Sequence, residues 1–133
     1  MFLQHLSPDQ RSAFLNLAYR LIAADGHLHS AELQALTAMA ASAAVPSDWQ
    51  LSRDSSADEL AATFPTYRSR AAVLMELLGL AYADTEYSEP ERVFVREVAT
   101  SLAISPDRLA LMEGWVVRQL LLAEEGNQLL EAH

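Results

Sequence analysis

"ADGHLHSAE", residues 24–32, returns later in the chain as "ADTEYSEPE", residues 83–91. Each stretch sets an Asp seven residues before a Glu: Asp25 to Glu32, then Asp84 to Glu91. Leu28 and Tyr87 fill the same middle slot. Each stretch also lies between two apolar segments of helical period. This pattern predicts a helix, an acidic bend and a second helix, written twice.

The flanks support that reading. "SPDQ" at 7–10 is a helix start: Ser7 as N-cap, Pro8 in the first turn, Asp9 at the positive end of the dipole, and Gln10 closing a capping box. Phe14, Leu17, Ala18, Leu21 and Ile22 then recur at steps of three and four, an apolar stripe ending near Asp25-Gly26. A second helix is expected from about Ser30 to Ser42, with Leu33, Leu36, Met39 and Ala40 inward. "AVPSDWQLSRDSS", residues 44–56, reads as a connection, with Trp49 and Leu51 plugging the edge of the core. "SADE" at 56–59 opens a short helix that Pro65 stops. Residues 67–83 form a long helix with Ala71, Leu74, Leu78 and Ala81 on one side. "SEPE" at 88–91 starts the next, with Ser88 as cap and Glu91 at the third helical position. "SPDR" at 105–108 starts the last, expected to run to about Glu125 before Gly126. Val, Ile and Thr never alternate as a strand requires.

The repeat extends past the bends. A shift of 59 residues pairs Leu21 with Leu80, Ala24 with Ala83, Leu36 with Val95, Ala40 with Ala99, Ser42 with Ser101, Val45 with Ile104 and Asp48 with Asp107. One helical hairpin cannot bury its own apolar stripe, whereas two similar hairpins bury theirs against each other.

Composition narrows the function classes. A chain of 133 residues with 51% apolar content supports a core of its own. It has no cysteine, which removes disulfides and thiolate metal sites. The formal net charge of −9 argues against nucleic acid and against anionic lipid as partners. The N-terminus does not read as a secretory signal, and no uncharged stretch is long enough to span a bilayer, so direct membrane insertion is not expected. A cytoplasmic protein is the default expectation.

The bends admit two chemistries. Asp25-Gly26 with Glu32 matches the second half of an EF-hand loop, with Leu28 at its apolar position. Leu21 and Ala23 stand where that loop needs oxygen ligands, and Thr85 replaces the glycine in the second copy, so neither copy is an EF-hand. In the structural reading, each Asp closes an Asx-turn and each Glu caps the following helix. In the metal reading, Asp25, Glu32, Asp84 and Glu91 hold a divalent cation, with His27, His29, Glu86 and Glu89 as auxiliary ligands. An Asp at a helix C-terminus is disfavoured by roughly 0.3–1 kcal/mol, and an Asx hydrogen bond of about 1 kcal/mol offsets it without a metal. No phosphate loop, nucleophile elbow or His-Glu-x-x-His is present. Arg68, Arg70, Arg92 and Arg96 read as a solvated helix face beside Glu89 and Glu97, and Trp49, Trp115, Tyr19 and Tyr82 as core or interface filler.

The doubled "ADG…E" and "AD…E" bends, each followed by a helix and an Ala-rich exit, resemble the TerB-like domains. These include a tellurite-resistance protein and the N-terminal region of the DjlA co-chaperone. The similarity spans roughly residues 10–120. It implies an all-α fold, a role in bacterial stress or tellurite resistance, and metal binding by acidic residues. Only Asp25, Glu32, Asp84 and Glu91 carry over.

These readings predict one all-α domain over residues 1–133, a helical bundle of about six or seven helices with an internal duplication. The halves are about 8–48 and 67–107, the link is about 44–56, and the tail 126–133 frays. The expected function is a non-enzymatic interaction module with an acidic surface and protein partners, a homodimer among them. No cofactor is required, and a divalent metal is optional. A dedicated divalent-metal-binding or metal-sensing protein is the alternative. A hydrolytic enzyme using paired carboxylates is a third, and it would need one carboxyl raised in pKa by burial.

Overall fold

The computed structural model describes residues 6–25, 34, 57–83 and 87–131. Its helices are α1 (Pro8–Ile22), α2 (Ala57–Thr63), α3 (Tyr67–Ala83), α4 (Glu89–Ser101) and α5 (Pro106–Leu130). A single 3-10 turn, Ala23–Asp25, extends α1. No strand occurs among the described residues. The count among these residues is five, against the six or seven expected. The helix expected over 30–42 lies outside the described residues apart from Gln34, which is helical and exposed. So do the connection at 44–56, Trp49 and Leu51, and with them most of the first copy of the repeat. α1 with its turn ends at Asp25 and α3 ends at Ala83, one residue out of step under the 59-residue shift, and the described residues do not establish the duplication.

The helix starts follow the cap chemistry. Ser7 accepts the Gln10 N–H while Gln10 returns to the Ser7 N–H, a complete capping box, and Ser88 and Glu91 repeat it on α4. Ser105 caps α5 by accepting the Arg108 N–H. α4 leaves through Ala103, whose φ of 57° is left-handed. The Ile104 N–H reaches the Ala99 carbonyl at 2.8 Å and the Ala103 N–H reaches Thr100 at 3.0 Å, a Schellman closure with alanine in the usual glycine position.

α3 is the centre, packed against α1, α4 and α5, while α2 closes on α1 and α4. Its Val73, Leu74, Leu77 and Leu78 are fully enclosed, together with Phe14, Leu17, Phe64, Val95 and Val116 from the surrounding segments. The expected stripe of α3 is extended by Ala72, Val73 and Leu77, because three neighbours cover more than one face. Arg70 on α3 ties two helix ends together. Its Nε donates to the Phe64 carbonyl at 2.6 Å, one terminal nitrogen donates to Ala61 at 3.3 Å, and the other to Leu102 at 3.4 Å. The arginine read as solvated therefore serves carbonyls that the ends of α2 and α4 leave without helical partners. α5 departs further from expectation: it runs through Gly126 to Leu130 instead of stopping near Glu125.

Candidate functional site

The second acidic bend joins α3 to α4, and its described part begins at Tyr87. Three aromatic and charged contacts hold it. The Tyr87 ring meets Tyr82 of α3 edge-on, with centroids 4.8 Å apart and planes at 64°. The Arg92 guanidinium sits over the Tyr87 ring, 4.2 Å from its centroid. Tyr82 then donates its hydroxyl to Glu113 Oε2 of α5 at 3.1 Å. The bend is thus linked to α3, α4 and α5 at once.

Ser88 and Glu91 complete it. Glu91 is only 7% exposed. Its Oε1 accepts the Ser88 N–H at 3.1 Å and the Ser88 hydroxyl at 2.8 Å. A buried carboxylate needs such donors, and here the cap of α4 supplies them. Glu89 is exposed and pairs with Arg96 at 2.9 Å, a contact that contributes little in water.

Burial pushes both tyrosines above their ordinary pKa. For Tyr82 the hydrogen bond to Glu113 and that carboxylate's charge add to burial, with Arg92 opposing. For Tyr87 burial is again the main cause, the Glu113 charge adds to it, and Arg92 opposes. Both stay protonated through the physiological range, so Tyr82 acts as a hydrogen-bond donor and Tyr87 as packing surface, and neither as a base. Beside them lies a cavity of about 140 Å³ lined by Tyr87, Arg92, Arg96 and Glu113. That is below the usual range for a small-molecule site. A second cleft of about 320 Å³ lies at the end of α1, between Tyr19, Arg20, Ala23, Ala24 and Phe94, where Arg20 covers the Phe94 ring at 5.1 Å.

Of the sequence-derived site residues, Glu91 and Glu89 are described as above. Asp25 ends the 3-10 turn, and its side chain lies outside the described part, as do Glu32, Asp84, His27, His29 and Glu86. Among the described residues no group of three potential metal-ligating side chains occurs. Sequence reasoning missed the Tyr82–Tyr87–Arg92–Glu113 cluster. Arg92 five residues after Tyr87 was a visible signal, whereas Glu113 lies 31 residues from Tyr82 and meets it only through the packing of α3 on α5.

Residues 44–113, more than half of the chain, match the family described as Tellurite resistance protein TerB. The chain belongs to the TerB family. The TerB match contains the second bend, α2, α3, α4 and the start of α5, and it leaves the first bend outside. Comparison with curated proteins and with solved structures gave no match. No helix among the described residues is long and apolar enough to cross a membrane.

Proposed function

We propose that this TerB-family chain is a non-enzymatic interaction module of a tellurite- or stress-related response. It engages protein partners through an acidic surface, and a divalent cation at the bends is an optional regulator. The family match over residues 44–113 carries this reading, because it includes the second bend and the capped helix that follows it. The net charge of −9 supports a basic partner surface. On α4, Glu89 and Glu97 stand exposed beside a shallow groove formed by Val93, Arg96, Glu97, Thr100 and Ser101.

The metal component has a limited fit to the described residues. Glu91 Oε1 is already engaged by Ser88, so the cap accounts for this carboxylate without a cation. A cation at this bend would draw on Asp84, with Glu91 contributing its other oxygen.

The test is thermal melting with and without Mg²⁺, Ca²⁺ or Mn²⁺, followed by partner capture. A cation at 100 times its dissociation constant adds about 2.7 kcal/mol, several degrees for a domain of this size. Asp25→Asn and Asp84→Asn should each remove the part of the shift arising at their own bend. A melt that no cation moves would remove metal from the proposal. The interaction role predicts that Glu89→Lys with Glu97→Lys loses a captured protein while helicity is kept. Capture unchanged by that reversal would refute the acidic-face reading.

A further inference from the structure

α5 carries two apolar stripes: the core takes the first and touches the second at Trp115, which is half-buried against it. Leu109, Met112 and Val116 are buried, and Leu120 packs partly against them. Beyond Leu120 every residue through Glu131 is exposed. Four of them are leucines: Leu121 at 57%, Leu122 at 64%, Leu129 at 86% and Leu130 at 85%.

The second stripe is Leu111, Trp115, Leu122 and Leu129, at steps of four, seven and seven. Seven residues fall about 20° short of two full turns, so these side chains share one edge for about 27 Å. Leu111 is 63% exposed. The stripe begins at a groove of about 250 Å³ between α3 and α5, walled by Tyr67, Ala71, Met75, Leu111 and Trp115 among others. Exposed Arg118 and exposed Glu125 lie within the same stripe, between its apolar members.

We infer that this edge of α5 pairs with the same edge of a second copy of the chain, antiparallel, about a two-fold axis at Leu122. The charge order selects this occupant and this direction. With Leu122 on the axis, Trp115 meets Leu129 of the second copy. Arg118 comes opposite Gly126, next to Glu125. A Cβ built at Gly126 meets nothing within 4 Å, so there is open space for a guanidinium to cross toward Glu125. A parallel pair would set Arg118 on Arg118 and Glu125 on Glu125, which like-charge repulsion disfavours. A two-fold contact is self-complementary by construction, and this stripe meets that condition in both its apolar and its charged positions. It also delivers the end of each α5 to the mouth of the other copy's groove. Glu124, Glu125 and Glu131 make an anionic lipid surface the wrong occupant for the same helix.

This inference stands apart from the family reading and from the acidic face of α4. Sedimentation of the full chain from about 1 to about 200 µM tests it. A monomer–dimer equilibrium is expected. Leu122→Glu appears twice in the contact and should raise the dissociation constant by at least about tenfold. Arg118→Glu should weaken the dimer, and Arg118→Glu with Glu125→Arg should restore it. Because the chain has no cysteine, Leu122→Cys should give a single covalent dimer on mild oxidation, whereas Asn127→Cys, off the stripe, should not. A chain that stays monomeric throughout this range overturns the inference and leaves the stripe to a different protein. So does a dimer indifferent to Leu122→Glu, or one that the double reversal does not rescue.

Discussion

α3 and α5 lie against each other and read alike in the sequence, both long and leucine-rich, yet they behave as opposites in the fold. α3 has α1, α4 and α5 around it, and its leucines at 74, 77 and 78 are completely enclosed. α5 buries Leu109, Met112 and Val116 and then runs on with its leucines in solvent. Leucine content therefore does not decide burial. The number of neighbours does, and α5 outruns its neighbours after Leu120. The same substitution should have very different consequences on the two helices.

The largest contrast is expected from a matched pair. Leu77→Ala removes a fully enclosed side chain and should destabilise by about 2–5 kcal/mol, through lost transfer energy and the cavity left behind. Against a total stability of roughly 5–15 kcal/mol, this is a large fraction. Leu122→Ala removes a side chain that is 64% exposed, and in dilute monomer should stay within about 0.5 kcal/mol. Urea unfolding of both variants at low protein concentration checks this. Equal losses would mean that the end of α5 is covered, and the comparison would fail.

A smaller effect separates what α3 does by packing from what it does by hydrogen bonding. Arg70 reaches three carbonyls at the ends of α2 and α4 with a planar fork. Lysine keeps the charge and most of the stem but cannot span that fan of acceptors. Arg70→Lys should cost about 1–3 kcal/mol by leaving part-buried carbonyls unserved. Hydrogen exchange should show the loss concentrated at the last turns of α2 and α4. A uniform loss of protection, or none, would assign Arg70 to packing alone.

The two helices also show which features a sequence discloses. Caps were legible: Ser7, Ser88 and Ser105 each stand before Pro or Glu-Pro, and each accepts the expected N–H. The start of α3 and its end at Ala83 were legible as well. Its second buried face was not. Between Ala71 and Ala83 the only charged residue is Glu76, so no polar side marks the limit of burial. The bend was half legible. Ser-Glu-Pro-Glu announces the buried Glu91, but Tyr82 on Glu113 depends on α3 meeting α5, and no local pattern encodes that. Arg70 was hidden for a related reason, since its partners are backbone carbonyls and carry no residue signature. Gly126 misled because glycine after a periodic run usually ends a helix. Here Asn127, Gln128, Leu129 and Leu130 continue it, and a glycine in an exposed helix costs only about 1 kcal/mol relative to alanine.

That glycine gives the smallest and sharpest comparison, because α3 has its counterpart in Gly79. A Cβ added at either position meets nothing within 4 Å, so neither substitution introduces a clash. Intrinsic propensity alone would make Gly79→Ala and Gly126→Ala equally stabilising, by roughly 0.5–1 kcal/mol each. The fold predicts otherwise. Gly79 lies in a helix held by three neighbours, so its backbone is ordered whenever the protein is folded. The entropy that alanine removes from the unfolded chain then appears in full as global stability, roughly 4 °C in melting temperature for 1 kcal/mol. Gly126 lies in a segment exposed from Leu121 through Glu131, which can fray while the rest stays native. Alanine there should barely move the main transition in dilute monomer. Its benefit should appear locally, as greater helicity at low temperature and slower amide exchange after Leu121. If Gly126→Ala raised the melting temperature as much as Gly79→Ala, the distal half of α5 would have to unfold together with the core. The contrast between the two helices would then be one of surface exposure alone and not of cooperativity.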